Sequence, residues 1–172
     1  VRLVSVGIRA LMRFGDPAAF PYLLERPAPD TIDRAWAWMS SHADRPFLSW
    51  VHLFEPHSPY EPHGLPGFED NGVPGAPALD HRAILAQEPG YAYTDGERAA
   101  LRRLYAEEVA YIDTQLADLV GRLRTLERPV LLVITADHGE MLGEHGVDFN
   151  HHGVWEENVR VPLIVVPLDR SL

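Results

Sequence analysis

The residues best suited to chemistry lie where an aliphatic run ends. Asp137 and His138 directly follow the run 130–134, and Gly139 comes next. Such a run, rich in β-branched residues, predicts a buried strand of a parallel sheet, and open α/β sheets bind ligands at the carboxyl ends of their strands. A carboxylate beside an imidazole at this position indicates a metal or anion site. Alternatively, Asp137 caps the next helix and His138 lies on the surface.

Other histidines fall near comparable positions. His57 follows the apolar, aromatic run 47–55, which predicts a second strand, and it lies between Pro56 and Pro59. Prolines fix the backbone around them, which suits a preorganised site, although they are also common in ordinary loops. His151 and His152 lie between the run 130–134 and a third predicted strand, 161–166. Six of the nine histidines fall within 51–57 or 138–152, so a single histidine-rich site is favoured.

Helices are predicted between these strands. A first helix opens at Asp30 or Thr31 and runs to about Ser41. Thr94 and Glu97 form a capping box that opens a second helix, running to about Leu126. Apolar residues at three- and four-residue steps give this helix a buried stripe: Leu101, Leu104, Tyr105, Val109, Ile112, Leu116, Leu119, Val120 and Leu123. Its charged residues are expected to be solvated: Arg98, Arg102, Arg103, Glu107, Glu108 and Asp113.

A long connection separates the two helices. Residues 61–93 are rich in Gly, Pro and Ala, and a connection of this length is usually functional or mobile. It is interpreted as an insertion loop, either a substrate-facing flap or an inert surface excursion.

Composition limits the classes of protein and partner. The chain has 172 residues, long enough for one domain with a core, and a net charge of −10, which argues against nucleic acid or an anionic membrane as the main partner. It contains no cysteine, which excludes thiolate chemistry, and all 15 basic residues are arginine. No transmembrane segment or secretory signal is recognised, and localisation therefore stays open.

The order of these motifs resembles the sulfatase family of the alkaline phosphatase superfamily. The strand and Pro-His-x-Pro-Tyr-like turn at 46–60, the helical segment 107–116, the Asp-His-Gly-Glu segment within 135–146 and the strand at 161–165 match family features in order. The likeness runs from about residue 30 to 167. It implies an α/β fold of the alkaline-phosphatase type, with a mostly parallel sheet flanked by helices.

The resemblance also implies an activity and a set of site residues. A sulfatase hydrolyses the sulfate ester of a small molecule or glycan with the help of a divalent metal ion. Asp137 and His138 would be ligands of that ion, calcium by family. The carboxylate oxygen also suits magnesium, and the imidazole of His138 admits manganese or zinc as well. His57 would contact the sulfate and the leaving oxygen. The basic position, often a lysine in the family, falls on His151 or His152, and counting back from 160–162 favours His151.

One departure from the family pattern concerns the nucleophile. Family enzymes carry formylglycine, made from the first residue of a Cys/Ser-x-Pro-x-Arg motif, and an early pair of acidic metal ligands. Neither is present, since Ser58 has its proline one place early. Both parts normally lie upstream, so residues 1–172 are interpreted as a single partial catalytic domain. On its own it is expected to show no normal turnover and weak metal binding.

Two other functions are compatible with the same residues. A phosphodiesterase, phosphatase or phosphoethanolamine transferase of the superfamily also uses Asp-His at a metal site and would act on a phosphorylated substrate; its upstream nucleophile would be Thr or plain Ser. A degenerate, non-catalytic domain would instead bind an anion or a partner protein, and its histidines would be relics.

Overall fold

The described part of the chain combines two long helices and one short helix with two small antiparallel sheets. The structure is a computed structural model, and it describes residues 26–68 and 91–168. Its elements are, in order, helix α1 (Ala28–Ser41), helix α2 (Asp95–Leu123), strand β1 (Leu131–Thr135), strand β2 (Met141–Leu142), a 3₁₀ turn (Glu144–Gly146), strand β3 (Asp148–Asn150), helix α3 (Glu156–Val159) and strand β4 (Leu163–Pro167).

Both predicted helices are present. Helix α1 begins at Ala28, slightly before the predicted start, because Pro29 suits a first helical turn. Helix α2 begins after Thr94, whose hydroxyl accepts a hydrogen bond from the Glu97 amide while the Glu97 carboxylate accepts one from the Thr94 amide. The predicted capping box is therefore confirmed.

Helix α2 connects two hydrophobic clusters. Near its start, Leu101 and Leu104 pack with Tyr60 and Phe149. Near its end, a second cluster joins α2 to α1 and to the chain around β1 and β4 through Ile32, Met39, Leu119, Leu123, Leu126 and Leu168. Because the first cluster contains residues adjacent to the predicted site segments, it holds those segments on the framework.

The prediction that the charged residues of α2 are solvated is wrong at two positions. Glu107 and Glu108 are only 3% and 2% exposed, whereas Val109, predicted to be buried, is 44% exposed. The Glu107 carboxylate accepts hydrogen bonds from the amides of His63 and Leu65, and Glu108 accepts one from the amide of Glu61. Because residues 61–65 cover this side of the helix, its buried face includes the two carboxylates. We call this contact the carboxylate clamp.

The larger sheet pairs the two aliphatic runs with each other. β1 and β4 are antiparallel, with Leu131 opposite Pro167 and Thr135 opposite Leu163. The described residues are thus α/β in content, but they do not confirm a parallel sheet. Leu132 and Val166 face the cluster below, whereas one side of the sheet is open to solvent at Leu131, Val133, Leu163 and Val165. The run 130–134 is therefore half-buried on one face and exposed on the other, and the prediction that it is a buried strand is wrong for the described residues.

Residues 47–55 do not form the predicted strand. Their burial alternates: Phe47, Val51 and Leu53 pack on the core while Leu48 and Trp50 are 92% and 84% exposed. The strand was predicted from the apolar and aromatic content of this run, but a strand also needs a hydrogen-bonded neighbour, and none is assigned to these residues within the described ranges.

Most of the predicted insertion loop 61–93 lies outside the described residues, which stop at 68 and resume at 91.

Among the described helices, none is long and apolar enough to cross a membrane.

Candidate active site

Three of the predicted histidines converge. The ring centroids of His138 and His151 are 4.4 Å apart, those of His57 and His151 4.9 Å, and those of His57 and His138 6.0 Å. One ring nitrogen from each lies within 4.8 Å of the others. We call His57, His138 and His151 the histidine triad. Segments more than 70 residues apart in sequence thus meet at one point.

The turn after β1 positions one member of the triad. The Gly139 amide donates a hydrogen bond of 2.7 Å to the carbonyl of Asn158, which holds the turn against α3. A Cβ atom at Gly139 would lie 1.9 Å from the carbonyl oxygen of Glu157. Only glycine allows the two backbones to approach so closely. His138 is thereby fixed just beyond the strand end, as the sequence predicted.

The turn at residues 54–59 positions a second member. The His57 amide donates to the carbonyl of Phe54 at 3.0 Å, and the His57 ring packs on the Phe54 ring at 4.6 Å. Tyr60, three residues on, is 1% exposed in the cluster beneath. This buried tyrosine anchors the turn on the first hydrophobic cluster and thereby positions His57.

Local hydrogen bonds set the tautomers of two of these rings. Nδ1 of His57 lies 2.6 Å from the carbonyl of Ser58, and Nδ1 of His138 lies 2.8 Å from the carbonyl of Gly139. A carbonyl oxygen only accepts, so both Nδ1 atoms carry the hydrogen. In the neutral rings Nε2 therefore keeps its lone pair, which makes it a potential ligand or base.

Asp137 lies at the exposed edge of the triad. Its side chain is 73% exposed, and its Oδ1 atom is 3.8 Å from Nε2 of His138. The same oxygen accepts a hydrogen bond of 3.0 Å from the His138 amide. The carboxylate and the imidazole thus face one region of solvent together, as two ligands of one cation would.

Glu140 is a site residue that the sequence reasoning did not assign. Its side chain is 5% exposed, and Oε2 lies 3.7 Å from Nδ1 of His151. Burial raises the pKa of this carboxyl, against the opposing effects of a hydrogen bond from Tyr60 and of the charges of His57 and His138. Its place in the Asp-His-Gly-Glu segment was the one available signal, because charged residues are ordinarily predicted to be exposed.

The two adjacent histidines differ in environment. His151 is part of the triad, and its pKa is lowered by burial first and then by repulsion from His138 and His57. His152 is exposed, its amide donates to Oδ1 of Asn150 at 2.6 Å, and its ring is 4.8 Å from that of His151. The structure thus places His151 inside the cluster and His152 beside it.

Comparison with known proteins adds an independent finding. Residues 12–169 match the family model of sulfatases. The choline-sulfatase of Rhizobium meliloti is 28% identical over 167 residues, which cover 90% of this chain and 32% of that protein. The ulvan-active sulfatase of Formosa agariphila is 28% identical over 125 residues, 71% of this chain and 23% of that protein. The chain thus spans a third or less of these relatives, and no solved structure matches it.

Proposed function

Because this chain belongs to the sulfatase family, we propose that it supplies the metal- and anion-binding residues of an enzyme that hydrolyses sulfate esters. The observation that supports this proposal is the convergence of the histidine triad beside Asp137. A sulfate ester needs positive charge around its non-bridging oxygens and a proton for its leaving group. Imidazoles next to a carboxylate that can bind a cation offer both.

Asp137 and His138 are the proposed metal ligands. The exposed carboxylate and Nε2 of His138 face the same region at a separation of 3.8 Å, so the pair fits a divalent cation. Calcium is proposed from the family, and an imidazole ligand is also compatible with manganese, magnesium or zinc. When bound, the ion would supply positive charge to the sulfate oxygens.

His57 and His151 are proposed to act on the bound sulfate ester, with His152 as a second candidate beside them. Their half-buried rings come within 4.9 Å of each other, and an anion between them favours protonation because negative charge stabilises an imidazolium. Each protonated ring then donates from Nε2 to a sulfate oxygen. His57 passes its proton to the leaving alkoxide as the ester bond breaks.

The nucleophile is proposed to lie outside these 172 residues, which contain no cysteine and no serine that begins a Ser-x-Pro-x-Arg motif. This chain alone is therefore expected to turn over no substrate. The proposed substrate class is the sulfate ester of a small alcohol or a glycan, since the two relatives are named for choline and for ulvan. We put forward no phosphate-ester activity, because both the family model and these relatives are sulfatases.

The experiment is an assay of the native gene product with its intact mass and peptide map determined. Hydrolysis of an aryl sulfate, choline sulfate and ulvan is measured beside that of an aryl phosphate and a phosphodiester, with and without chelator. We expect a sulfate ester to be the best substrate, and Asp137→Asn to lower kcat/KM by about 100-fold or more. The matched control is Asp44→Asn, at a carboxylate that is 75% exposed.

Either of two results would refute the proposal. One is faster turnover of a phosphate ester than of every sulfate ester. The other is the same activity in Asp137→Asn and Asp44→Asn, since the carboxylate at the site would then have no role.

A further inference from the structure

We propose that the histidine triad is a binding site for a borderline transition-metal ion, Zn²⁺ or Co²⁺, whose donors are all imidazole nitrogens. The three nitrogens lie within 4.8 Å of one another, and the group contains no carboxylate. Imidazole suits zinc and its neighbours in the first transition series, and three imidazoles without a carboxylate are a poor set of ligands for calcium, which takes mostly oxygen. The donors of this site differ from those of the proposed Asp137 cation site, and because both sites use Nε2 of His138, an ion at the triad takes that ligand from an ion at Asp137.

The hydrogen bonds around the triad are those of metal-binding histidines. Such a ring normally donates its other N–H to a carbonyl or a carboxylate, which fixes the ring and its tautomer. Here Nδ1 of His57 and of His138 each donate to a backbone carbonyl. Nδ1 of His151 faces the buried carboxylate of Glu140 at 3.7 Å. His57 and His138 thus have a hydrogen-bonded outer partner on Nδ1, and Glu140 lies near Nδ1 of His151, while one nitrogen of each ring is within 4.8 Å of the others.

The geometry requires a small closure and leaves one position open. With Zn–N bonds of about 2.0–2.1 Å, ligand nitrogens around a tetrahedral ion lie roughly 3.3 Å apart. The triad must therefore tighten by about 1.5 Å at its widest pair. Side-chain rotation can provide this, because His138 and His151 remain 32% and 24% exposed. Three protein ligands with an open fourth position are typical of accessible zinc sites.

Occupation by zinc would oppose catalysis, and this consequence rests on the proposed function. A nitrogen whose lone pair is coordinated to a metal cannot carry a proton to a leaving alkoxide. Zn²⁺ at the triad is therefore expected to inhibit turnover even when the Asp137 site is supplied with Ca²⁺. The enzyme's activity would then fall as the concentration of free zinc rises.

The experiment uses the chelator-treated native gene product in saturating Ca²⁺, titrated with Co²⁺ and followed by visible ligand-field absorption. We expect one Co²⁺ per chain with nitrogen ligands, displaced by Zn²⁺ and not by further Ca²⁺. His151→Ala should abolish the signal. Glu140→Gln, which keeps the shape of the side chain, should weaken binding by about 10–100-fold. His52→Ala, at an exposed histidine of the same segment, is the control.

Far-UV circular dichroism shows whether each variant is folded. If His151→Ala fails to fold, Glu140→Gln still decides the question. The proposal is overturned if Co²⁺ does not bind, if Ca²⁺ displaces it, or if Glu140→Gln binds it as the wild type does. Co²⁺ binding by a protein that has no sulfatase activity in Ca²⁺ alone would support the triad site and refute only the proposed function. Activity in Ca²⁺ alone by a protein that binds no Co²⁺ would refute the triad site and leave the proposed function standing.

Discussion

His63 and the histidine triad show two uses of the same side chain. The His63 ring stacks on Tyr111 at 3.7 Å, its Nε2 contacts Glu108 at 2.9 Å, and its amide donates to Glu107. Within the triad, acidic or carbonyl partners contact Nδ1, and the rings otherwise face one another. The His63 ring is therefore held between Tyr111 and Glu108 as part of the carboxylate clamp. A histidine is a better site candidate when, as in the triad, its ring lies against other histidines that could share a ligand.

The strongest test of this contrast replaces one histidine from each region. In the native gene product, His57→Ala is expected to lower kcat by about 10²–10⁴-fold, because a proton donor is lost. Its melting temperature should change little, since His57 is only half-buried. His63→Ala should do the opposite, lowering the melting temperature while kcat per folded molecule is retained. Equal losses of activity in the two variants would contradict the comparison.

The backbone beneath the triad offers a second test. Gly139→Ala places a methyl group 1.9 Å from the Glu157 carbonyl. We expect overpacking to cost about 1–3 kcal/mol in the free energy of unfolding, with loss of activity as His138 shifts. The control is Gly121→Ala in helix α2, where a Cβ meets nothing within 4 Å, and where alanine should stabilise by up to about 1 kcal/mol. Urea denaturation measures both, and destabilisation of similar size in the two would show that the close approach is unimportant.

The carboxylate clamp can be disrupted by a substitution that leaves the histidine triad in place. Glu107→Ala removes the acceptor of two backbone amides, those of His63 and Leu65. Leaving partly buried donors unpaired is expected to cost about 1–3 kcal/mol. Co²⁺ binding at the triad should be unchanged. Asp113→Ala, on the exposed face of the same helix, should stay within about 0.5 kcal/mol of the wild type. A loss confined to metal binding would mean that the two regions are not independent.

The smallest effect is a change in pH dependence. Burial raises the pKa of Glu108, and Glu55 adds to this while His63 and the Glu61 amide oppose it. The stability linked to this group is complete below its ordinary pKa and is lost as pH rises through the raised value. Glu108→Gln should therefore flatten the decline of the melting temperature from acidic to neutral pH. A parallel decline in wild type and variant would assign the pH dependence to other groups.

Local sequence signals were sufficient to predict the helices and the turns that contain the site residues. The capping box at Thr94, the aliphatic run before Asp137 and the prolines around His57 act over a few residues, so they can be read directly. The predicted roles of His57, Asp137, His138, His151 and His152 stay predictions, although three of these residues lie together.

Interactions between distant segments could not be predicted from the sequence in the same way. The burial of Glu107 and Glu108 depends on amides more than 40 residues away. The strand predicted at 47–55 and the parallel sheet depend on which segments become neighbours, and a single sequence does not specify this. Glu140 belongs to the same class, because its role arises from the approach of His151.

The open face of the β1–β4 sheet has a consequence for the behaviour of this chain in solution. Leu131, Val133, Leu163 and Val165 are 51–71% exposed and adjacent, which is a patch that attracts other apolar surfaces. The net charge of −10 opposes such contact by mutual repulsion. Salt screens this repulsion over a Debye length of about 8 Å at physiological ionic strength, so the colloidal stability of the isolated chain should decline as salt is added.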